Sequence, residues 1–252
     1  VKPGVPSGRK PTEEKSGWWR EDFGQRVKAH IRYFYETDEL APDGKTKIKV
    51  FVPGVTTVLN ELGGDDYLVG WANKLGLEGI DNRLYMTAAG RVGTLAHDLI
   101  ERQLDGKEYS LKEWSEDEQE RATYSVNAFL AWKQGKTIEP ILVEHPMVSR
   151  KHKFGGKLDF YGIVDGVRTL WDIKSSRFIG LSHKCQVTAY SELLEENGFE
   201  RPEKFMLIRV GREEQTAEAE IHELQQAKMP LYWRIFLNCL DNYQIKKELK
   251  ER

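Results

Sequence analysis

Asp159, Asp172 and Lys174 are the residues whose types and spacing could do chemistry. Two apolar runs, Leu158–Val164 and Val167–Ile173, flank Asp165-Gly166. An Asp-Gly pair between such runs predicts a two-residue hairpin turn. Val164 then pairs with Val167, and counting outward sets Phe160 against Trp171 and Asp159 directly opposite Asp172. Opposed residues on an antiparallel pair share a face, with Cβ atoms about 5 Å apart. Two carboxylates so placed repel each other unless a cation sits between them. Lys174, two residues beyond Asp172, points to the same face, while Ile173 points away. Hard divalent ions are held by one or two carboxylates together with substrate phosphate oxygens. Such an ion lowers the pKa of bound water and stabilises charge on an attacked phosphate. A neighbouring lysine can orient or deprotonate that water, or stabilise the transition state. The plainer alternative is a surface hairpin with a salt-bridged Asp–Lys pair, and the D-x-K spacing alone does not choose between the two.

Other residues could join this chemistry. Thr87–Leu104 has helical spacing with an apolar stripe from Leu95, Leu99 and Leu104, and Asp105-Gly106 is a good stop. His97 and Glu101 lie four apart on a different face of that helix. They are either a polar surface or a ligand and its neighbour brought over the hairpin, with the imidazole neutral and donating to the ion. Glu144 lies on a predicted strand, Ile141–Val148, where Pro146 predicts an edge or a bulge. Its plainer role is a salt bridge, and its functional one a further carboxylate at or behind the metal. Arg150, Lys151, Lys153 and Lys157 cluster just before Asp159, either as a solvated loop or as a phosphate-contacting patch beside the metal. Gln186 and Tyr190, four apart, share one face of a predicted helix over 183–197, with Ser182 as its N-cap and Gly198 at C′.

The elements that must position these residues read as follows. Residues 1–17 are rich in Pro, Gly and charge and read as a flexible tail, with the ordered chain expected from Trp18-Trp19. His30–Thr37 and Lys45–Val52 flank a Pro-Asp-Gly turn and form a second hairpin. Tyr67–Leu75 is helical, and Leu111–Lys133 reads as one or two surface helices. Lys204–Val210 is a buried strand that Ala217–Leu224 joins, and Pro230 opens a last helix. The chain has 252 residues, 39% of them apolar and 31% charged, with net charge −2. That describes a globular chain, so a nucleic-acid partner must be met by a local patch. Cys185 and Cys239 make no zinc spacing or disulfide framework, which fits a reducing, cytoplasmic setting. No signal peptide and no apolar run of membrane-spanning length is visible, so no membrane partner is expected.

Taken together, Gly93-Thr94-x-x-His97, Gly156-x-x-Asp159, Asp172-Ile173-Lys174 and Gln186-x-x-x-Tyr190 resemble the PD-(D/E)xK nuclease superfamily, in its RecB-type exonuclease branch. Pro53-Gly54-Val55-Thr56-Thr57-Val58-Leu59, with Trp71 downstream, is similar to the N-terminal region of that branch, and the resemblance covers about residues 50–210. It implies an α/β, restriction-endonuclease-like fold: a mixed central β-sheet flanked by helices, here with an N-terminal hairpin and helical extension over 18–92 and the nuclease core over 93–252. It further implies metal ligands at His97, Asp159, Asp172 and the Ile173 carbonyl, a catalytic Lys174, and Gln186 and Tyr190 positioning that lysine or the DNA strand. The cofactor implied is Mg²⁺ or Mn²⁺. Some relatives hold an iron–sulfur cluster with four cysteines, and two cysteines cannot, so no cluster is expected. The expected function is a metal-dependent DNA exonuclease that prefers a single strand with a free end. A structure-specific or restriction-type endonuclease and a non-catalytic nucleic-acid-binding module are the alternatives. The branch includes phage enzymes, so a virus-encoded protein, acting in DNA repair or recombination, fits the reading.

Overall fold

The hairpin that organises the sheet is built by its turn. Asp165 and Gly166 both take positive φ, 50° and 81°, the pair of left-handed residues that a type I′ turn requires. The side chain of Asp165 also accepts the N–H of Thr137. Val164 pairs with Val167 as counted, and the ladder runs out to Phe160 against Trp171. Those two rings stack at 3.5 Å, 7° from parallel.

The computed structural model describes residues 32–63, 66–106, 110–213 and 218–250, with the side chains of 66–68 outside that description. The tail, Trp18-Trp19, the start of the first hairpin at His30 and the side chain of Tyr67 therefore lie outside the described residues. A first hairpin, β1 (Tyr33–Leu40) and β2 (Lys47–Val52), leads through a short helix α1 (Val55–Leu59) to three longer ones, α2 (Asp66–Leu77), α3 (Asn82–Asp105) and α4 (Glu116–Lys133). Strands β3 (Ile138–Ser149), β4 (Phe154–Val164) and β5 (Val167–Lys174) follow. Helix α5 (Leu181–Glu196), strands β6 (Lys204–Val210) and β7 (Ala219–Glu223) and helix α6 (Met229–Lys250) complete the chain. The five later strands form one sheet in the order β3-β4-β5-β6-β7. Only β5 and β6 run parallel, with α5 as the crossover that a parallel pair needs.

Helices cover both faces of this mixed sheet. On one side Val55 and Val58 of α1, Val187, Leu193 and Leu194 of α5 and Phe236 and Leu240 of α6 pack with Leu158, Tyr161 and Leu207. On the other, Ile100 of α3 and Phe129 of α4 pack with Phe160, Trp171, Met206 and Ile208. No helix among the described residues is long and apolar enough to cross a membrane.

Several expectations change. Helix α4 is not a surface helix: Ala122, Ser125, Ala128 and Phe129 are buried, because a Ser115–Glu118 capping box starts it and Glu118 also pairs with Arg91 of α3. Helix α5 starts at Gly180 rather than at a Ser182 cap, with the Gly180 N–H donating to His183 Nδ1 at 3.2 Å. Its far end is as read, with Gly198 at φ 85° just past the Asn197 cap. Helix α3 starts five residues earlier than its spacing implied, capped by Asp81, and runs without a break through the 92/93 boundary.

Candidate active site

The site forms where β4 and β5 part. The register puts Val143 opposite Phe160 and His145 opposite Leu158, so Glu144 is level with Asp159 across β3 and β4. One step beyond Phe160–Trp171, the same counting brings Asp159 level with Asp172, but there the ladder stops. The expectation that the two face each other as a ladder pair is corrected by the reason it ends: the Asp159 side chain itself accepts the Ile173 N–H, at 2.7 Å. Alternation slips at the same place. Leu158 and Tyr161 share the core under α5, while Phe160 between them lies in the core under α4. Opposite this slip Glu144 takes φ 48°, a conformation that costs a non-glycine residue of order 1 kcal/mol and gathers at functional sites. Three carboxylates, Glu144, Asp159 and Asp172, thus stand at one level of three adjacent strands.

Two glycines of the motifs let the helices close on this level. A Cβ on Gly93 would lie 2.7 Å from Ser175 Oγ, so α3 crosses directly over the end of β5. One turn on, His97 Nδ1 reaches 3.5 Å from Asp159 Oδ2. A Cβ on Gly156 would lie 2.6 Å from the Tyr190 ring and 3.0 Å from Val55. Gly156→Ala must push that ring off, and overpacking of this kind costs about 1–3 kcal/mol. An unfolding free energy from urea denaturation below wild type by that amount is the expected result, and an unchanged value would show that Tyr190 can shift freely.

Asp172 is 1% exposed. Lys174 Nζ meets its Oδ2 at 2.5 Å, and Gln186 Nε2 donates to its Oδ1 at 3.1 Å and to the Tyr190 hydroxyl oxygen at 2.8 Å. Gln186 and Tyr190 therefore hold the carboxylate, and among the described residues neither hydrogen-bonds to Lys174. Tyr190 is 4% exposed, so it supports the site from within the core and offers no open face to a strand.

Burial governs the titration of the cluster. It pushes Asp172 up to about 6, with Lys174 opposing and Asp159 adding to the rise. Asp159 is raised by burial, against the pull of Lys174, the Ile173 N–H and Lys157, and Glu101 adds to the rise. Glu101 thus stands near enough to act on Asp159 electrostatically. His97 is pushed down to about 4 by burial and by Lys174, which leaves it neutral at pH 7 with a lone pair to give.

His97, Glu144 and Asp159 each offer a ligand atom within 4.8 Å of the others. One imidazole and hard carboxylate oxygens are a donor set that fits a divalent cation. Asp172 stands outside that trio, on the Lys174 side. Lys157 is not part of an open basic patch: its ammonium pairs with Glu144. Arg150, Lys151 and Lys153 sit on the β3–β4 turn, and six residue steps along the chain, about 20 Å, take Lys153 to Asp159. They are not beside the site. Arg150 donates to the Glu36 carbonyl of β1 at 3.1 Å and stands over the Tyr35 ring.

Sequence reasoning missed His183. It is three residues before Gln186 on the same helix face, and Lys174 adds to the burial that pushes it down to about 4. A His at that spacing was the available signal.

No family model matches the chain, and no curated protein matches it. Solved structures do. The chain is similar to an alkaline exonuclease, LHK-Exo, from Laribacter hongkongensis, at 15% identity over 63% of this chain and 86% of that one, TM-score 0.29. A complex of LHK-Exo with dAMP is similar at 15% identity, covering 65% and 93%, TM-score 0.31. A candidate exonuclease from Eubacterium rectale is similar at 12% identity, covering 73% and 71%, TM-score 0.33.

Proposed function

We propose that the chain is a metal-dependent nuclease that hydrolyses phosphodiester bonds of DNA, acting as an exonuclease on a single strand with a free end. The observation that carries this reading is the level row of Glu144, Asp159 and Asp172, with His97 3.5 Å from Asp159 and Lys174 2.5 Å from Asp172. His97, Asp159 and Glu144 would hold Mg²⁺ or Mn²⁺, with Asp172 and the Ile173 carbonyl as further candidate ligands. When bound, such an ion supplies a Lewis acid for the phosphate and an acidified water.

The chain's own residues do the rest. Asp159 ties β4 to the Ile173 N–H, so the ligand-bearing ends of two strands move as one. Gln186 fixes one oxygen of Asp172 and leaves the other to Lys174. Lys174, with its side chain 17% exposed, can turn its ammonium from Asp172 toward an incoming phosphate or its attacking water. Lys157 neutralises Glu144 and must yield it when a cation enters.

The preference for one strand is supported by α3 lying across the end of β5. That leaves an approach beneath a helix, which a flexible strand enters more easily than a stiff duplex. Helix α4, by contrast, is core and no part of a cover. Digestion of end-labelled linear single strands, covalently closed single-stranded circles and blunt duplex, with and without Mg²⁺, tests the reading. Linear strands should disappear while circles resist and duplex lags. Rapid cutting of circles supports an endonuclease instead, and binding without any cleavage supports a non-catalytic module.

A further inference from the structure

Helix α3 carries a second feature along the stripe that ends in His97. Tyr85, Ala89, Gly93 and His97 follow at four-residue steps, each rising about 6 Å, so the stripe spans about 18 Å. Each step meets a different group. Tyr85 packs edge-on against Trp71, ring centres 5.5 Å apart. The Ala89 carbonyl accepts Arg212 Nη1 at 2.7 Å. Gly93 abuts Ser175, and His97 reaches Asp159.

Arg212 and Ser175 leave the same edge of the sheet. Lys174 is level with Arg209 on the parallel pair β5–β6, so Ser175 and Arg212 lie just past the carboxyl ends of neighbouring parallel strands. That is the edge at which α/β sheets hold ligands. Arg212 is half-buried, and among the described residues the Ala89 carbonyl is its hydrogen-bond acceptor and no carboxylate pairs with it. Burial lowers the pKa of its guanidinium, and Arg121 and Arg177 add to that against Tyr85 and Glu213. Arg121 and Arg177 therefore each stand within electrostatic reach of Arg212. Arg177 is exposed, and Glu213 is engaged by Arg121 at 3.3 Å. Positive charge is concentrated here, beside half-buried aromatic rings and about two helical turns from His97.

We infer that Arg212 and Arg177 form a phosphate-binding site for a single nucleic-acid strand, which leaves the His97 level over the carboxyl ends of β5 and β6 and stacks a base on the Trp71–Tyr85 pair. Arginine suits this role because its fork leaves N–H groups for a phosphate while one holds Ala89. Aromatic stacking beside a basic groove is the sequence-tolerant way to hold a strand. This rests on the nuclease reading of the Asp159 level. It sends the strand toward the β5–β6 edge and away from the Arg150–Lys153 turn.

The test is fluorescence anisotropy of a labelled oligothymidylate of about twelve nucleotides, a length within one typical single-strand site. It is run in EDTA over a range of NaCl, so binding is read without cleavage. Arg212→Gln, which keeps a donor for Ala89, should weaken binding about tenfold and lower the salt slope by about 0.7. Arg212→Lys should keep most of that slope. Arg177→Gln should also lower it by about 0.7, a check that stands even if the Arg212 variants melt early. Arg201→Gln, at the far end of α5, is the control for loss of a surface arginine. Wild-type affinity and slope in both Arg212→Gln and Arg177→Gln would overturn the site. So would a loss confined to the paired variant Lys151→Glu with Lys153→Glu. If wild type binds as described yet never cleaves, the nuclease reading falls and this site stands. If it cleaves while the arginine variants bind like wild type, the reverse holds.

Discussion

Asp172→Asn should lose cleavage by about a thousandfold or more, and the metal-free variant should melt no lower than wild type near neutral pH. Asp159→Asn should lose cleavage as fully and also weaken Mn²⁺ binding. The stability claim follows from burial. The Asp172 carboxyl is pushed up to about 6 from an ordinary value near 3.9. Its contribution to stability is therefore present below about pH 4 and is lost as the pH rises through about 6. Above that the folded protein carries a buried, ionised carboxylate beside Asp159, held by Lys174 and Gln186. Asparagine removes the charge and keeps an acceptor for Gln186, while Lys174, which also acts on Asp159, keeps a carboxylate in reach. His97 has the opposite sign. Pushed down to about 4, its contribution is present above about 6.5 and is lost as the pH falls toward 4. Because His97 is retained in the variant, its burial is common to both proteins, and the difference reports Asp172 together with its coupling to His97 and Asp159. Thermal melts in EDTA at about pH 7.5 and about pH 4.5 should show the variant's relative advantage at the higher value and its loss at the lower. Near wild-type cleavage by either variant would remove these carboxylates from the site, and a variant that melts far lower at both pH values would make Asp172 a structural residue.

The sequence made the β4–β5 hairpin legible because its determinant is local. Two residues with positive φ fix the turn, and everything out to Phe160 and Trp171 follows by counting. The counting fails one step later. What happens at Asp159 depends on a side chain replacing the ladder, and no pattern of residue types announces that. Glu144 was read as an edge-strand carboxylate, and the backbone turn that brings it level with Asp159 is a property of the paired strands. Lys157 looked like one more basic residue in a run, but it lies two residue steps from Asp159 and Lys153 lies six, and alternation gave no reason to treat them differently. The glycines were legible as motif members and not as causes. Only the Tyr190 ring against Gly156 and Ser175 against Gly93 show why those positions carry no side chain. Helix α4 was misread because its acidic first turn, Glu116 to Glu118, reads as solvent-facing, whereas Glu118 folds inward on Arg91. Arg212 carried no motif at all, and its place follows from which strand ends the parallel crossover brings together.

Lys174→Ala should lower single-turnover cleavage by about a hundredfold to ten-thousandfold while the labelled strand still binds. Its ammonium is the group at this level that is neither fixed by a backbone contact nor committed to Glu144, so its effect belongs to the transition state. A second consequence sets it apart from a mere phosphate anchor. Lys174 lowers the pKa values of both Asp172 and Asp159 and stands second only to burial among the influences on each. Without it both carboxyls hold their protons to higher pH. Metal binding needs the ionised forms, so the pH midpoint for Mn²⁺ binding should move upward in Lys174→Ala, with affinity recovered in alkaline buffer and turnover not recovered. Lys174→Arg should restore much of the midpoint, since it returns a cation beside Asp172, and little of the turnover, since a guanidinium gives up no proton near neutral pH. Calorimetric Mn²⁺ titrations across pH, paired with single-turnover assays at saturating metal, separate the two effects. Turnover that returns fully once metal is saturated would reduce Lys174 to an electrostatic support for the carboxylates. Weakened strand binding with wild-type turnover would make it a phosphate anchor.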